Sequence, residues 1–143
     1  MLIDLSTATA SLIHMKFGYT IIYVPDVRAT VDFYERAFGL ERRFIAPGDS
    51  YAEMQTGETA LGFAHDSMAE ANGVKVRPNR ADEVAAGIEI AFVSDDPKAA
   101  YAKAVAAGAQ AIKAPETKPW GQLVGYVRDC NGVLVEICSA MTG

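Results

Sequence analysis

The sequence predicts an α+β fold of two tandem βαβββ modules, and three observations predict it. Two strand-like runs, Tyr19–Val24 and Glu89–Val93, each lead into an Asp-capped helix that ends at a glycine. Three further strand-like segments follow each helix. The halves also superpose: Tyr19 to Asp26 falls on Glu89 to Asp96 at an offset of 70 positions, and Leu61-Gly62-Phe63 on Val135-Glu136-Ile137 at an offset of 74. Gly39 meets Gly108 after a one-residue deletion. An internal duplication within 143 residues makes one domain of two similar halves.

Each element has a local cause. Residues 1–15 read as an N-terminal extension, because the small and hydroxylic run Ser6 to Ser11 has no sustained period. Residues 16–143 form the domain, with modules at about 16–65 and 87–140. Tyr19-Thr20-Ile21-Ile22-Tyr23-Val24 is β-branched and aromatic and stops at Pro25-Asp26, so a buried strand meets a helix N-cap. Val27, Val31, Tyr34 and Phe38 then recur at helical spacing up to Gly39, a C-cap glycine. Strands are expected at about Glu41–Ala46, Tyr51–Gln55 and Thr59–Ala64, the last two joined at Gly57-Glu58.

The polar stretch from His65 to Ala86 connects the halves, with a short helix expected over Ser67–Asn72. Asp96-Pro97 is an N-cap with proline at N1, and Ala100, Tyr101, Ala104 and Val105 mark the apolar face of the second helix. Strands follow at about Ala111–Ala114, Leu123–Arg128 and Val133–Ser139, the last pair closed by a two-residue Asn131-Gly132 turn.

Composition excludes several classes. Half the residues are hydrophobic and 22% are charged, a balance that specifies a packed core. Eighteen acidic against 13 basic residues, net charge -5, with no basic run, argue against nucleic acid. No apolar run approaches a bilayer span, and Met1 to Leu5 lacks a secretory layout, so a cytoplasmic protein without membrane contact is expected. The two cysteines, Cys130 and Cys138, lie eight positions apart on one hairpin and are too distant to bridge.

The motifs Tyr23-Val24-Pro25-Asp26, Asp32-Phe33-Tyr34 with Phe38-Gly39-Leu40, Pro119-Trp120-Gly121, Val127-Arg128-Asp129, Asn131-Gly132 and Val135-Glu136 resemble the vicinal oxygen chelate superfamily. That superfamily includes glyoxalase I, bleomycin-resistance proteins, fosfomycin-resistance enzymes and extradiol dioxygenases. The resemblance covers about residues 16–140 and implies modules whose sheets curl around a cavity, often with a divalent metal on four equivalent strand positions. Those positions here are Tyr19, Gly62, Glu89 and Glu136, a set with no histidine and one residue without a side chain.

Strand parity extends the site. If Glu89 faces the cavity, Ala91 and Val93 do too, while Ile90 and Phe92 turn to the helices. Ala60, Gly62 and Ala64 face inward by the same rule. A two-residue turn pairs Glu53 with Gly62 and Tyr51 with Ala64; the equivalent pairing in the second half sets Val127 opposite Glu136. The cavity is thus expected to collect Glu53, Glu89 and Glu136, edged by Tyr19, Tyr23 and Tyr51. Three readings of these carboxylates stay open: solvated groups in an open groove, partners of a cationic or hydrogen-bonding ligand, or an all-oxygen site for Mg²⁺ or Mn²⁺. At least one of the three is expected to titrate above the reference glutamate value of about 4.3.

Trp120 reads either as a loop side chain covering the core or as a lid on the cavity. His65 reads as a surface residue, and His14 receives no role. The resemblance implies a homodimer and a small organic ligand, and with strand parity and the loop position of Trp120 the expected binding residues are Tyr19, Tyr51, Glu53, Gly62, Glu89, Trp120 and Glu136. The first function expected is a small-molecule-binding protein without a tightly bound metal or other cofactor. The alternative is a metal-dependent lyase, isomerase or dioxygenase resembling glyoxalase I, with Glu89 and Glu136 as ligands and Glu136 as general base.

Overall fold

A computed structural model describes residues 14–141, so most of the predicted extension lies outside the described residues. The first module runs β1 (Tyr19–Val24), α1 (Val27–Phe38), β2 (Glu41–Ile45), a 3₁₀ turn at Pro47–Asp49, β3 (Tyr51–Gln55) and β4 (Ala60–His65). After α2 (Ser67–Ala71), the second runs β5 (Glu89–Val93), α3 (Pro97–Ala106), β6 (Gln110–Thr117), β7 (Leu123–Arg128) and β8 (Leu134–Cys138). Each module is a four-stranded mixed sheet, ordered β1-β4-β3-β2 and β5-β8-β7-β6. The duplication is exact in register: Tyr19 pairs with Ala60 and Glu89 with Leu134, the same offsets of 70 and 74.

The caps form as the residue types require. Asp26 accepts from the Ala29 N–H at 3.0 Å and Asp96 from the Ala99 N–H at 3.1 Å. Gly39 closes α1 at φ 68°, a left-handed conformation that disfavours side chains. In the second helix Ala107 takes the C-cap and Gly108 follows at φ 111°.

Both helices lie on the same side of their sheets and share one core. Val24, Val31, Phe63 and Met54 from the first module join Val127, Val135 and Ile137 from the second, with Ile90 and Phe92 packed against them. Tyr34 sits at the centre, fully buried, its ring 4.7 Å from that of Phe63. Its hydroxyl donates to Asp129 Oδ2 at 2.6 Å across the modules, so the hydrogen bond that satisfies the phenol also joins the halves.

Two predicted details are corrected. The β7–β8 turn is a three-residue loop rather than a two-residue Asn131-Gly132 turn: Asp129 Oδ1 accepts from the Asn131 and Val133 N–H groups, each at 2.8 Å, and the Asp129 N–H donates to Val133 O. A loop one residue longer shifts the register, so Tyr126, not Val127, stands opposite Glu136. β6 is also longer than predicted, continuing through Pro115. A proline reads as a strand stop, but β6 is an edge strand where the missing N–H is tolerated. Its ring lies where a side chain at Gly125 would project, 2.8 Å from that Cβ position, so the glycine makes the room.

Candidate functional site

The helices cover one face of each sheet and leave the other bare. On the first sheet, parity places Tyr19, Ile21 and Tyr23 of β1 on the bare face, beside Ala60, Gly62 and Ala64 of β4 and Tyr51 and Glu53 of β3. Glu53 pairs with Gly62 and Tyr51 with Ala64, as the turn at Gly57 predicts. The space above the small residues is not empty. A Cβ at Gly62 would lie 2.6 Å from the Tyr51 hydroxyl oxygen, so the tyrosine occupies the volume that a side chain at this position would need.

Tyr51 is held there by its partner. Its hydroxyl donates to Glu53 Oε2 at 2.8 Å, and Glu53 is only 7% exposed. Burial, then this hydrogen bond, raises the phenol above its ordinary value, because both favour the protonated form. Arg43 closes the cluster, Nη1 lying 3.5 Å from Glu53 Oε1 and Nε donating to Gln55 Oε1 at 2.9 Å. Arg43 reaches it because the β2–β3 register shifts between Arg42 and Phe44, making Arg43 the extra residue of a bulge. The first face is therefore an internally satisfied Tyr51-Glu53-Arg43 group in an aromatic surround.

The second face is different. Glu89, Ala91 and Val93 of β5 lie beside Leu134, Glu136 and Cys138 of β8, with Tyr126 of β7 opposite Glu136. Desolvation comes first, and the neighbouring Glu136 carboxyl adds to it, so Glu89 is raised above its usual range. The Tyr126 hydroxyl donates to Glu136 Oε1 at 3.2 Å. Partial burial and the same two acids push the Cys138 thiol up to about 11, which keeps it protonated and a poor nucleophile. No cation among the described residues pairs with either glutamate: Arg128 donates to the main-chain oxygens of Gly132 and Arg80, and Lys113 lies 3.4 Å from Glu116.

The predicted site residues are distributed over both bare faces. Tyr19, Tyr23, Tyr51, Glu53 and Gly62 share the first bare face, and Glu89 and Glu136 share the second. Glu53 is engaged with Tyr51 and Arg43 on its own sheet, and Glu136 with Tyr126 on the other. Trp120 is 57% exposed in the β6–β7 loop, where Nε1 donates to Gln122 Oε1 at 2.8 Å, so it does not cover the core. His65 bonds Ser67 at the start of α2, Nδ1 lying 2.7 Å from Oγ. His14 is exposed, and both described cysteines are free thiols. Tyr126 and Arg43 were missed; the one-residue register shift hid the first and the β2 bulge the second.

The four positions that hold a divalent metal in the resembled superfamily carry two carboxylates, one exposed phenol and a glycine whose side-chain volume Tyr51 fills. Such a set does not fit a site of three or four protein ligands. Among the described residues no group of three or more His, Cys, Asp or Glu side chains is arranged to hold a metal ion.

Two βαβββ modules joined through one helical layer, each with one sheet face left bare, define a paired-module α+β scaffold. The chain belongs to the Glyoxalase/Bleomycin resistance protein/Dioxygenase superfamily, whose family model matches residues 16–137. It is similar in structure to a glyoxalase-related enzyme from Fulvimarina pelagi, with 23% identity, 88% of each chain covered and a TM-score of 0.74. It is also similar to a glyoxalase/bleomycin resistance protein/dioxygenase family enzyme from Burkholderia phytofirmans PsJN, with 21% identity, 87% of this chain and 98% of that chain covered, and a TM-score of 0.71. TioX from Micromonospora sp. ML1 aligns at 20% identity over 87% of this chain and 98% of that one, with a TM-score of 0.67. No curated sequence relative matches at a significant level. No helix among the described residues is long and apolar enough to cross a membrane.

Proposed function

We propose that this chain is a small-molecule-binding member of its superfamily that works without a tightly held metal, taking an organic ligand whose cationic group meets Glu89 and Glu136. The observation that carries this reading is the Tyr51 hydroxyl in the place of a side chain at Gly62, which removes one donor position from the set. The second sheet supplies the recognition chemistry. A protonated amine arriving between Glu89 and Glu136 favours their ionised forms and sets an attraction in place of their mutual repulsion. Tyr126 keeps Glu136 oriented by its hydrogen bond.

Two copies complete the binding face in this reading. Tyr19 at 60% exposure, Ile21, Val93 and Trp120 are large apolar or aromatic groups left uncovered on or beside the bare faces, and a second chain of the same kind would shield them. Metal analysis of protein purified without chelator tests the main claim. Far less than one metal per chain is expected; zinc, nickel or iron retained near one per chain would overturn it. The adjacent carboxyls of Glu89 and Glu136 favour one second reading, in which they hold a hard cation such as Mg²⁺ for lyase or dioxygenase chemistry. Saturable Mg²⁺ or Mn²⁺ binding lost in Glu136→Gln would support it.

A further inference from the structure

β1 and β5 are edge strands of separate sheets, and their outer edges face the seam between the modules. The Ala60 N–H donates to Gly18 O and the Asp66 N–H to Val24 O. Even-numbered residues of β1 thus spend their main-chain groups on β4, while Ile21 and Tyr23 point theirs outward, away from the ladder. Among the described residues no acceptor meets the Ile21 or Tyr23 N–H.

A cavity of about 180 Å³ lies against this edge, walled by Ile22, Ile88, Ile90 and Val133 and roofed by the connector at Val76 to Asn79. The connector is anchored where it leaves the roof. Arg80 Nη2 donates to Asp66 Oδ2 at 2.9 Å, Arg128 Nη2 donates to Arg80 O at 3.1 Å, and the Ala86 N–H donates to Asn79 Oδ1. Arg77, which also lines the cavity, has neither an ion pair nor a hydrogen bond among the described residues.

We propose that this seam is a binding site for a small monocarboxylate with a compact apolar body, distinct from the Glu89 and Glu136 pair. The volume suits such a body, since an apolar cavity of about 150 Å³ takes up one benzene ring. The isoleucines and Val133 receive the ring or branched chain. The carboxylate meets the Arg77 guanidinium, with the outward N–H groups of Ile21 and Tyr23 beside it, and the fixed positive charge of Arg77 selects an anion over an amine. This site differs in place and in charge preference from the cation site at Glu89 and Glu136, so either stands if the other falls.

Titration of the whole chain with benzoate, read by amide NMR, tests the proposal, with benzamide as the neutral match in shape. Saturable shifts at Ile21, Tyr23 and the Arg77 side chain are expected below about 20 mM, with benzamide at least about tenfold weaker. Arg77→Gln should reduce benzoate affinity about tenfold and leave benzamide unchanged, and Ala86→Leu, which fills the cavity from the connector, should abolish both. No shift at the seam, benzamide binding as tightly as benzoate, or benzoate shifts unaffected by Arg77→Gln would each overturn the proposal.

Discussion

The two modules carry the same strands in the same register, yet their bare faces solve opposite problems. In the first, Glu53 is nearly buried and is satisfied from within by Tyr51 and Arg43. In the second, Glu89 and Glu136 have only each other and Tyr126, and no cation of the described chain reaches them. Equivalent positions of the duplication thus have different surroundings in the two halves. A superfamily position is therefore read by what stands in its space as well as by what residue it carries. Gly62 is vacant by residue type and filled by geometry.

The largest expected effect separates the two hairpin turns. Asp129→Ala removes the acceptor for Tyr34, Asn131 and Val133 at once and should cost about 3 kcal/mol in chemical denaturation, since buried donors lose their only partners. Glu58→Ala in the equivalent turn of the first module, where the residue is exposed, should stay within about 0.5 kcal/mol. Comparable losses at both turns would break the contrast.

Next in size is Gly62→Ala. The added methyl meets the Tyr51 hydroxyl oxygen at 2.6 Å, and a loss of about 1–3 kcal/mol is expected. In a Tyr51→Ala background the same substitution should be close to neutral, so a double-mutant cycle reads the filling of that volume directly. An equal cost in both backgrounds would mean that Tyr51 is not what occupies the space.

A smaller effect concerns pH. The raised Glu89 value means that the folded chain holds a proton the unfolded chain releases at lower pH. Its contribution is fully present below the unfolded glutamate value of about 4.3 and is lost as pH rises through the raised folded value. Asp129 adds to the trend with the same sign, because burial outweighs the hydrogen bonds that would lower it. The stability gap between the wild type and Glu89→Gln should therefore change across the weakly acidic range and flatten above it. A pH-independent gap would contradict the raised Glu89 value.

Much of the fold was legible because its signals are local. Asp26, Asp96, Pro97 and Gly39 act on their own helices, and the offsets of 70 and 74 reappear in the strand ladders. The site was less legible for two reasons. Parity assigns a residue to a face but not the direction in which its side chain leans, so Tyr51 was placed correctly while its cover over Gly62 went unseen. Single-residue irregularities also change who stands opposite whom: the Asp129-capped loop put Tyr126 beside Glu136, and the β2 bulge brought Arg43 to Glu53. Neither leaves a residue type that differs from an ordinary turn or strand.

In the proposed function the second face, and not the first, is the open recognition surface. Calorimetric titration of benzylammonium into the wild type, Glu136→Gln and Glu53→Gln tests this most directly. The expected result is an affinity reduced about tenfold by Glu136→Gln and changed by less than about twofold by Glu53→Gln, whose carboxyl is already engaged with Tyr51 and Arg43. Equal losses in the two variants, or a loss confined to Glu53→Gln, would contradict it.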